Sequence, residues 1–209
     1  MARPRKVSDE QVFAATQRVM ARVGPSELTL GLIGEEAGVT AGALVQRFGS
    51  KRNLMVRMAG LLAGGIGELF AELRSAHRSP LAVIRAYASC MASMASTPEA
   101  LARNLAYLQV DLTDPDLRAH LLDTARETRG ELLALVAAAK KRGELAAGTP
   151  AAPLVRNIEA LVSGALLTWA FYREGDAAPW LRSHVDALLE PHRVRTKRAI
   201  RAESPRADR

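Results

Sequence analysis

Apolar residues recur at helical spacing along most of the chain, and this pattern predicts an all-α protein. Leu30, Ile33 and Ala37 form one such stripe, and longer stripes fill the later two thirds of the sequence. The chain is rich in alanine and leucine, which favour helices. Runs of β-branched residues bounded by turn signals, which would indicate strands, are few.

Capping signals divide the pattern into about nine helices. A side-chain oxygen followed by proline marks a helix start, and glycine marks an end. Starts of this kind are Ser79-Pro80, Thr97-Pro98 and Asp114-Pro115. The predicted helices span roughly 8–22, 29–37, 40–47, 50–75, 80–96, 98–110, 115–142, 153–173 and 177–189. Because the first three are short and the others long, we expect a compact N-terminal head on a larger helical bundle.

The same pattern suggests where the domains divide. We expect the head at residues 1–48 and a larger domain for ligand binding and dimerisation at 49–191. Helical periodicity stops after Pro191, and residues 192–209 form a polar, basic tail that we expect to be disordered.

The segment from Thr29 to Phe48 carries the sharpest functional signal. Two short helical patterns are joined there by Gly38-Val39, an arrangement typical of a helix-turn-helix. In the second of the two helices, Ala43, Leu44 and Phe48 are expected to face inward. This helix is short enough to lie in a DNA major groove about 12 Å wide.

Residues 8–58 resemble the DNA-binding head of the TetR family of transcriptional regulators. The family pattern I-A-x-x-A-G-V-[ST]-x-G-x-L-Y-x-x-F-x-S-K-x-x-L corresponds to IGEEAGVTAGALVQRFGSKRNL at residues 33–54, preceded by Gly24 and Thr29. Gly34 stands where the family usually has alanine, which weakens the second helix by about 1 kcal/mol. Ala41 replaces a frequent lysine or arginine, and Val45 replaces a tyrosine that contacts phosphate. These departures predict sparser contacts to the DNA backbone.

Base contacts are expected from the exposed face of the third helix. Its residues are Thr40, Ala41, Gly42, Val45 and Gln46. Gln46 can hydrogen-bond an adenine edge, and Ala41 or Val45 can contact a thymine methyl group. Replacing Gln46 with alanine should therefore change which bases are preferred.

Phosphate contacts are expected from residues at helix N-termini and from nearby arginines. Thr29 and Lys51 begin helices, where free N–H groups and the helix dipole favour anions. Arg47 and Arg52 are further candidates. An arm containing Arg3, Arg5 and Lys6 can enter the adjacent minor groove, although a merely solubilising role is the alternative.

The helix predicted at 153–173 is apolar on almost every side, so it should be buried on all sides. We expect its far side, with the last helix, to meet a second copy in a four-helix interface, as family members do. Burial inside one subunit is the alternative. The predicted interface residues are Leu161, Ala165, Leu166, Trp169, Trp180, Leu181, Val185 and Leu188.

An effector pocket is expected among the fourth to eighth helices. Methionine is adaptable, and a few polar side-chain tips suit a small, mostly apolar ligand. The candidate residues are Tyr87, Met91, Met94, Tyr107, Gln109, Asn157 and Trp169. Ordinary core packing is the alternative for each of them.

Composition serves mainly to exclude other classes of protein. The single cysteine, Cys90, excludes a disulfide framework and fits a reducing compartment. We expect no metal, cofactor or catalysis, because metal-ligand spacings, phosphate loops and nucleophile elbows are missing. No signal peptide and no apolar run of about 20 residues is recognisable, so we expect a cytoplasmic protein without membrane association.

The net charge of +7 suggests an anionic partner, but it is unevenly placed. Residues 1–57 hold nine basic and five acidic side chains, and residues 193–209 hold seven and two. The case for DNA therefore depends on the motif rather than on charge. We predict a homodimeric, ligand-responsive regulator, most simply a repressor, on a pseudo-palindromic double-stranded DNA operator. The alternatives are a helical ligand-binding or enzymatic bundle whose head has lost DNA binding, and a basic membrane-surface protein.

Overall fold

The computed structural model describes residues 7–93 and 97–194, and in this part of the chain helices are joined by loops, with one isolated antiparallel bridge between Leu145 and Arg193. Its helices are α1 (Asp9–Met20), α2 (Leu30–Ala37), α3 (Ala41–Phe48), α4 (Lys51–Ala63), α5 (Ile66–Ala76), α6 (Pro80–Ser93), α7 (Pro98–Thr113), α8 (Pro115–Lys141), α9 (Ala151–Tyr172) and α10 (Ala177–Leu189). A short 3₁₀ turn follows at Glu190–His192. The predicted all-α fold, with a helix-turn-helix head on a larger bundle, is confirmed. Arg3, Arg5, Lys6, Met94 and the tail from residue 195 onward lie outside the described residues.

Side-chain caps begin the helices at the predicted places. Thr97 Oγ1 accepts the N–H of Ala100, and Asp114 caps α8 by accepting the N–H groups of Asp116 and Leu117. Since a proline follows each cap, the first helical residue has no N–H to satisfy. These starts were predictable because capping depends on neighbouring residues alone.

One predicted helix, at 50–75, is two helices in the structure. α4 ends at Ala63 and α5 begins at Ile66, with Gly64 and Gly65 between them. Two adjacent glycines disfavour a continuous helix, although the apolar stripe runs across them. The backbone N–H of Gly67, in the first turn of α5, donates to Glu127 Oε1 of α8 at 3.0 Å. α8 therefore supplies the partner that a continuous helix would have provided.

Two clusters of buried side chains form the cores. The head core includes Ile33, Leu44 and Phe48, whose inward orientation is confirmed. It also takes in Leu54 from α4 and Tyr107 from α7, so the larger domain packs directly against the head. Ala43 was expected to face inward but is exposed. It precedes the buried Leu44 by one residue, about 100° around the helix.

The larger core is built from α5, α6, α8, α9 and α10 with part of α7. α9 is 22 residues long and contains an 18-residue window of mean hydropathy 1.2, which is long and apolar enough to cross a membrane. Core helices of soluble proteins meet the same criterion. In this fold Leu154, Ile158, Val162, Leu166 and Trp169 of α9 are buried against the other helices of the chain.

Candidate DNA-binding face and adjoining pocket

α3 presents a short exposed face on the head. Thr40 Oγ1 caps the helix by accepting the N–H of Ala43 at 3.1 Å, and buried Leu44 and Phe48 anchor its inner side. The residues predicted to read bases, including Val45 and Gln46, are all exposed. The side chain of Val45 keeps 48% of its surface open to solvent. The fold therefore brings these residues together on one surface.

The turn between α2 and α3 accounts for one departure from the family pattern. Gly38 adopts φ of 71°, in the left-handed region, and the N–H of Val39 donates to the carbonyl of Gly34 at 2.9 Å. A Cβ atom at Gly34 would lie 2.6 Å from the carbonyl oxygen of Val39. The missing side chain thus permits this close approach of the two helices, besides weakening α2.

Arg47, a predicted phosphate contact, joins the end of α3 to the start of α1. Its guanidinium donates to the carbonyl of Val7 at 2.7 Å and pairs with Asp9. Arg57 of α4 pairs with the same carboxylate at 2.6 Å. Both guanidinium groups lie over the Phe48 ring, 5.5 and 5.0 Å from its centroid. Arg47 is therefore engaged within the head.

Lys51 begins α4 and is also engaged within the head. Its ammonium donates to the carbonyls of Pro25 at 3.1 Å and Leu28 at 2.8 Å, which ties α4 to the loop before α2. An ammonium has three N–H donors, so one remains for an outside acceptor. Thr29, at the start of α2, is exposed, and its Oγ1 caps the helix by accepting the N–H of Leu32 at 3.2 Å.

Arg52 links the head to the larger domain. Its guanidinium forms two hydrogen bonds to Asp114, at 2.6 and 2.8 Å, and one to Asp116 at 2.7 Å. The hydrogen bonds from Arg52 hold the pKa of Asp114 below its ordinary value. The acidic residues at the start of α8 thus serve as a cap and an arginine partner. Sequence could not show this contact, because 62 residues separate Arg52 from Asp114. A phosphate contact by Arg52 stays a prediction.

A pocket of about 250 Å³ lies between α6, α7 and α9. Of the predicted effector residues, Tyr87 and Met91 line it. The complete lining is Tyr87, Met91, Leu101, Asn104, Leu105, Leu108, Val162, Ser163 and Leu166. The α7 residues were missed, although Leu101, Leu105 and Leu108 recur at helical spacing and could have been found by that signal.

The other predicted effector residues of the described chain lie elsewhere. Tyr107 is on the head side of α7, where its hydroxyl donates to the carbonyl of Val23 at 3.0 Å. The indole N–H of Trp169 donates to the carbonyl of Gly175 at 3.0 Å. Gln109 and Asn157 are exposed. Helical spacing identified apolar and polar positions but not which neighbour each one meets.

Tyr87, which lines the pocket, has a neutral side chain. Burial, with a smaller contribution from the negative charge of Glu159, raises its pKa to about 12. Its ring stacks on Phe70 with the centroids 5.1 Å apart. Tyr87 is therefore an uncharged part of the wall at neutral pH.

The predicted interface residues lie largely inside the chain. Ala165, Leu166, Trp169, Leu181 and Val185 are buried in the larger core, and Leu161, Trp180 and Leu188 are half-buried. The five buried residues thus agree with the alternative, which was burial within one subunit. The outer side of α9 instead exposes Leu167 and Phe171, which keep 38% and 81% of their surfaces in solvent. In a helix apolar on all sides, sequence could not distinguish these two faces.

The helix-turn-helix head and the helical larger domain define a class of DNA-binding regulators. Comparison with known families identifies the family within this class. Residues 12–58 match the family model described as bacterial regulatory proteins, tetR family. Residues 83–185 match the model for the tetracyclin repressor-like C-terminal domain. The chain belongs to the TetR family and is a DNA-binding transcriptional regulator.

Solved structures share this fold. A TetR transcription regulator from Haloarcula marismortui has a TM-score of 0.71 at 15% identity, covering 89% of this chain and 98% of that one. A TetR-family regulator from Cytophaga hutchinsonii also has a TM-score of 0.71 at 15% identity, with 92% and 100% covered. FadR from Bacillus subtilis, solved in complex with stearoyl-CoA, has a TM-score of 0.65 at 16% identity, with 87% and 97% covered. No curated protein matches the sequence.

Proposed function

We propose that this regulator is a homodimeric, cytoplasmic repressor without enzymatic activity, released from its operator by a small, uncharged effector. The observation that carries the proposal is the position of α7. One side of this helix lines the pocket through Leu105 and Leu108. Its neighbouring Tyr107 holds the head, and the residue after its end, Asp114, pairs with Arg52.

The DNA contact is made by the exposed face of α3. In a two-fold dimer, two copies of α3 enter successive major grooves about 34–36 Å apart, which requires a pseudo-palindromic site.

The head is residues 1–48, the larger domain 49–191 and the tail 192–209, with Leu54 of α4 packing across the first boundary. The arm with Arg3, Arg5 and Lys6 adds basic charge ahead of the first helix.

The dimer forms through the outer side of α9 and the adjacent α10. Phe171 and Leu167 are large apolar side chains left in solvent by the single chain, and burying them on a partner is favourable. α9 and α10 pack against each other, and Trp180 and Leu188 of α10 are half-buried. Pairing these two helices with their copies gives an isologous four-helix interface.

The effector is small, mostly apolar and uncharged. None of the nine side chains that line the pocket carries a charge at neutral pH. The FadR structure holds stearoyl-CoA. A coenzyme A phosphate requires cationic partners, which these side chains do not supply. A volume of about 250 Å³ is also below the range of about 300–1,000 Å³ found for drug-sized ligands.

Release of DNA follows if the effector favours a different position of α7. Because α7 contacts both the pocket and the head, its displacement changes how the head is held. The ligand has to bind the released state more tightly than the DNA-bound state, since equal affinity shifts no equilibrium.

A transcription reporter tests the DNA-binding and repressor roles. Its promoter carries an operator selected from random DNA by the purified protein, and we expect the wild-type protein to lower its output. Ala43→Glu places a carboxylate on the exposed face of α3 and should restore output. Ala134→Glu, on the exposed side of α8, is the matched control and should still repress. Raised output with wild type would make the protein an activator, and equal output with and without it would refute DNA-dependent regulation.

A matched pair of probes tests the effector class. 1-Octanol and octanoate have equal chain lengths, but octanoate is charged at neutral pH. We expect octanol to weaken operator binding by the wild-type protein and octanoate to have a smaller effect. Leu105→Trp, which fills the pocket, should abolish the response to octanol without preventing DNA binding. A stronger response to octanoate would contradict an uncharged effector.

A further inference from the structure

The exposed face of α3 offers very few hydrogen-bonding groups. Its side chains at positions 41, 42, 43 and 45 are alanine, glycine, alanine and valine, and all four are exposed. Gln46 supplies one amide. Thr40, at the start of the helix, already uses its hydroxyl oxygen to cap the N–H of Ala43. The surface available for base edges is therefore a small, largely apolar strip with one amide and the O–H of Thr40.

The basic residues beside this strip are engaged within the chain. Arg47 is held by the carbonyl of Val7 and the carboxylate of Asp9. Lys51 donates to two carbonyls of the loop before α2, and Arg52 pairs with Asp114 and Asp116. Guanine is usually read by arginine or lysine donating to its O6 and N7 atoms. Arg47, the basic side chain of α3, is instead engaged at the start of α1.

Gly42 indicates how closely the strip meets its target. A Cβ atom added there would have only Thr40 Oγ1 within 4 Å, at 3.9 Å, so packing inside the chain does not require glycine. Glycine inside a helix is less stable than alanine, but it allows the backbone to approach another molecule closely. Gly42 and Gln46 are four residues apart and lie on one line of the helix. The amide thus stands beside a position without a side chain.

We propose that α3 reads each half-site mainly through the 5-methyl groups of thymine, with Gln46 reading one adenine. The inference depends on the proposed DNA-binding role and specifies its target as A·T-rich. The thymine methyl is the apolar group that a major-groove edge offers, and it suits the side chains of Ala41, Ala43 and Val45. The close approach at Gly42 brings these short side chains within reach of the base edges.

The test replaces thymine by deoxyuracil in an operator selected from random DNA. The replacement removes the methyl group and keeps base pairing and phosphates unchanged. We expect about fourfold weaker binding for each contacted methyl, on the basis of roughly 0.8 kcal/mol per buried methylene. Deoxyuracil in the spacer between half-sites is the control and should leave affinity unchanged. Val45→Ala should lower the penalty at one thymine, and Gln46→Leu should relax preference at one adenine.

The outcomes separate this inference from the function on which it depends. A specific operator with G·C-rich half-sites, or one whose affinity ignores deoxyuracil, would overturn thymine-methyl recognition while leaving a DNA-binding regulator. Selection that enriches no sequence would overturn both thymine-methyl recognition and the proposed DNA-binding function. Loss of affinity at half-site thymines alone, with spacer substitutions silent, is the result that supports the inference.

Discussion

Replacing Gly42 with alanine should stabilise the head and at the same time weaken its binding to DNA. In Gly42→Ala the new Cβ meets Thr40 Oγ1 at 3.9 Å, an ordinary contact, and no other atom within 4 Å. Alanine stabilises a helix interior by about 0.5–1 kcal/mol relative to glycine. Since position 42 is in the first turn of α3, we expect a gain in the free energy of unfolding of about 0.5 kcal/mol.

The same methyl group should weaken operator binding. If the α3 backbone lies against the base edges at Gly42, the methyl overfills that contact. Overpacking of a close-packed site costs about 1–3 kcal/mol. This corresponds to roughly 5- to 150-fold lower affinity. Urea unfolding followed by circular dichroism measures the stability, and fluorescence anisotropy with a labelled operator measures the affinity.

Gly130→Ala is the matched control for this variant. Gly130 is exposed within α8, and a Cβ atom there has no neighbour within 4 Å. The substitution should stabilise the protein by about 0.5–1 kcal/mol and leave operator affinity unchanged. The reasoning about close approach is refuted if Gly42→Ala binds the operator as tightly as wild type, or if both variants lose affinity equally.

The pocket, the proposed dimer face and the link to the head each permit a direct test. Tyr87 ionises at about pH 12 in the folded protein and near pH 10 when unfolded, so its stabilising effect is complete below pH 10 and is lost as pH rises toward 12. Urea unfolding at pH 9 and 11 should show a smaller alkaline loss for Tyr87→Phe than for wild type; an equal loss would assign the effect to other groups. Phe171→Glu should sediment as a monomer and bind one half-site, and a dimer in this variant would exclude the outer side of α9 as the interface. Tyr107→Phe leaves the Val23 carbonyl without its donor, should lower the free energy of unfolding by about 1 kcal/mol and should weaken the release of DNA by 1-octanol. Unchanged release would refute coupling through Tyr107.

Features fixed by neighbouring residues could be predicted from the sequence. The caps at Thr40 and Asp114 follow from one side chain and the backbone N–H groups just after it. The inward positions of Leu44 and Phe48 follow from the helical period. Local chemistry and periodicity were thus sufficient for the fold of the head and for most of the exposed face of α3, with Ala43 as the exception.

Features fixed by distant partners could not be predicted. Arg52 lies beside the helix-turn-helix pattern, but its carboxylate partners begin α8. Periodicity marked Trp169 as apolar without showing whether its own chain or a second copy covers it. The break at Gly64 and Gly65 depends partly on Glu127, whose carboxylate accepts a backbone N–H of α5. In each case long-range packing decides between arrangements that are equally compatible with the local sequence.

Selection of bound DNA from a random pool tests the central claim of a dimeric, α3-directed regulator most directly. We expect an inverted repeat whose A·T-rich half-sites have centres about one helical turn, or 34–36 Å, apart. Two chains should bind each site, and Ala43→Glu should enrich no sequence. A site without two-fold symmetry, one chain per site or equal enrichment by Ala43→Glu would contradict the claim.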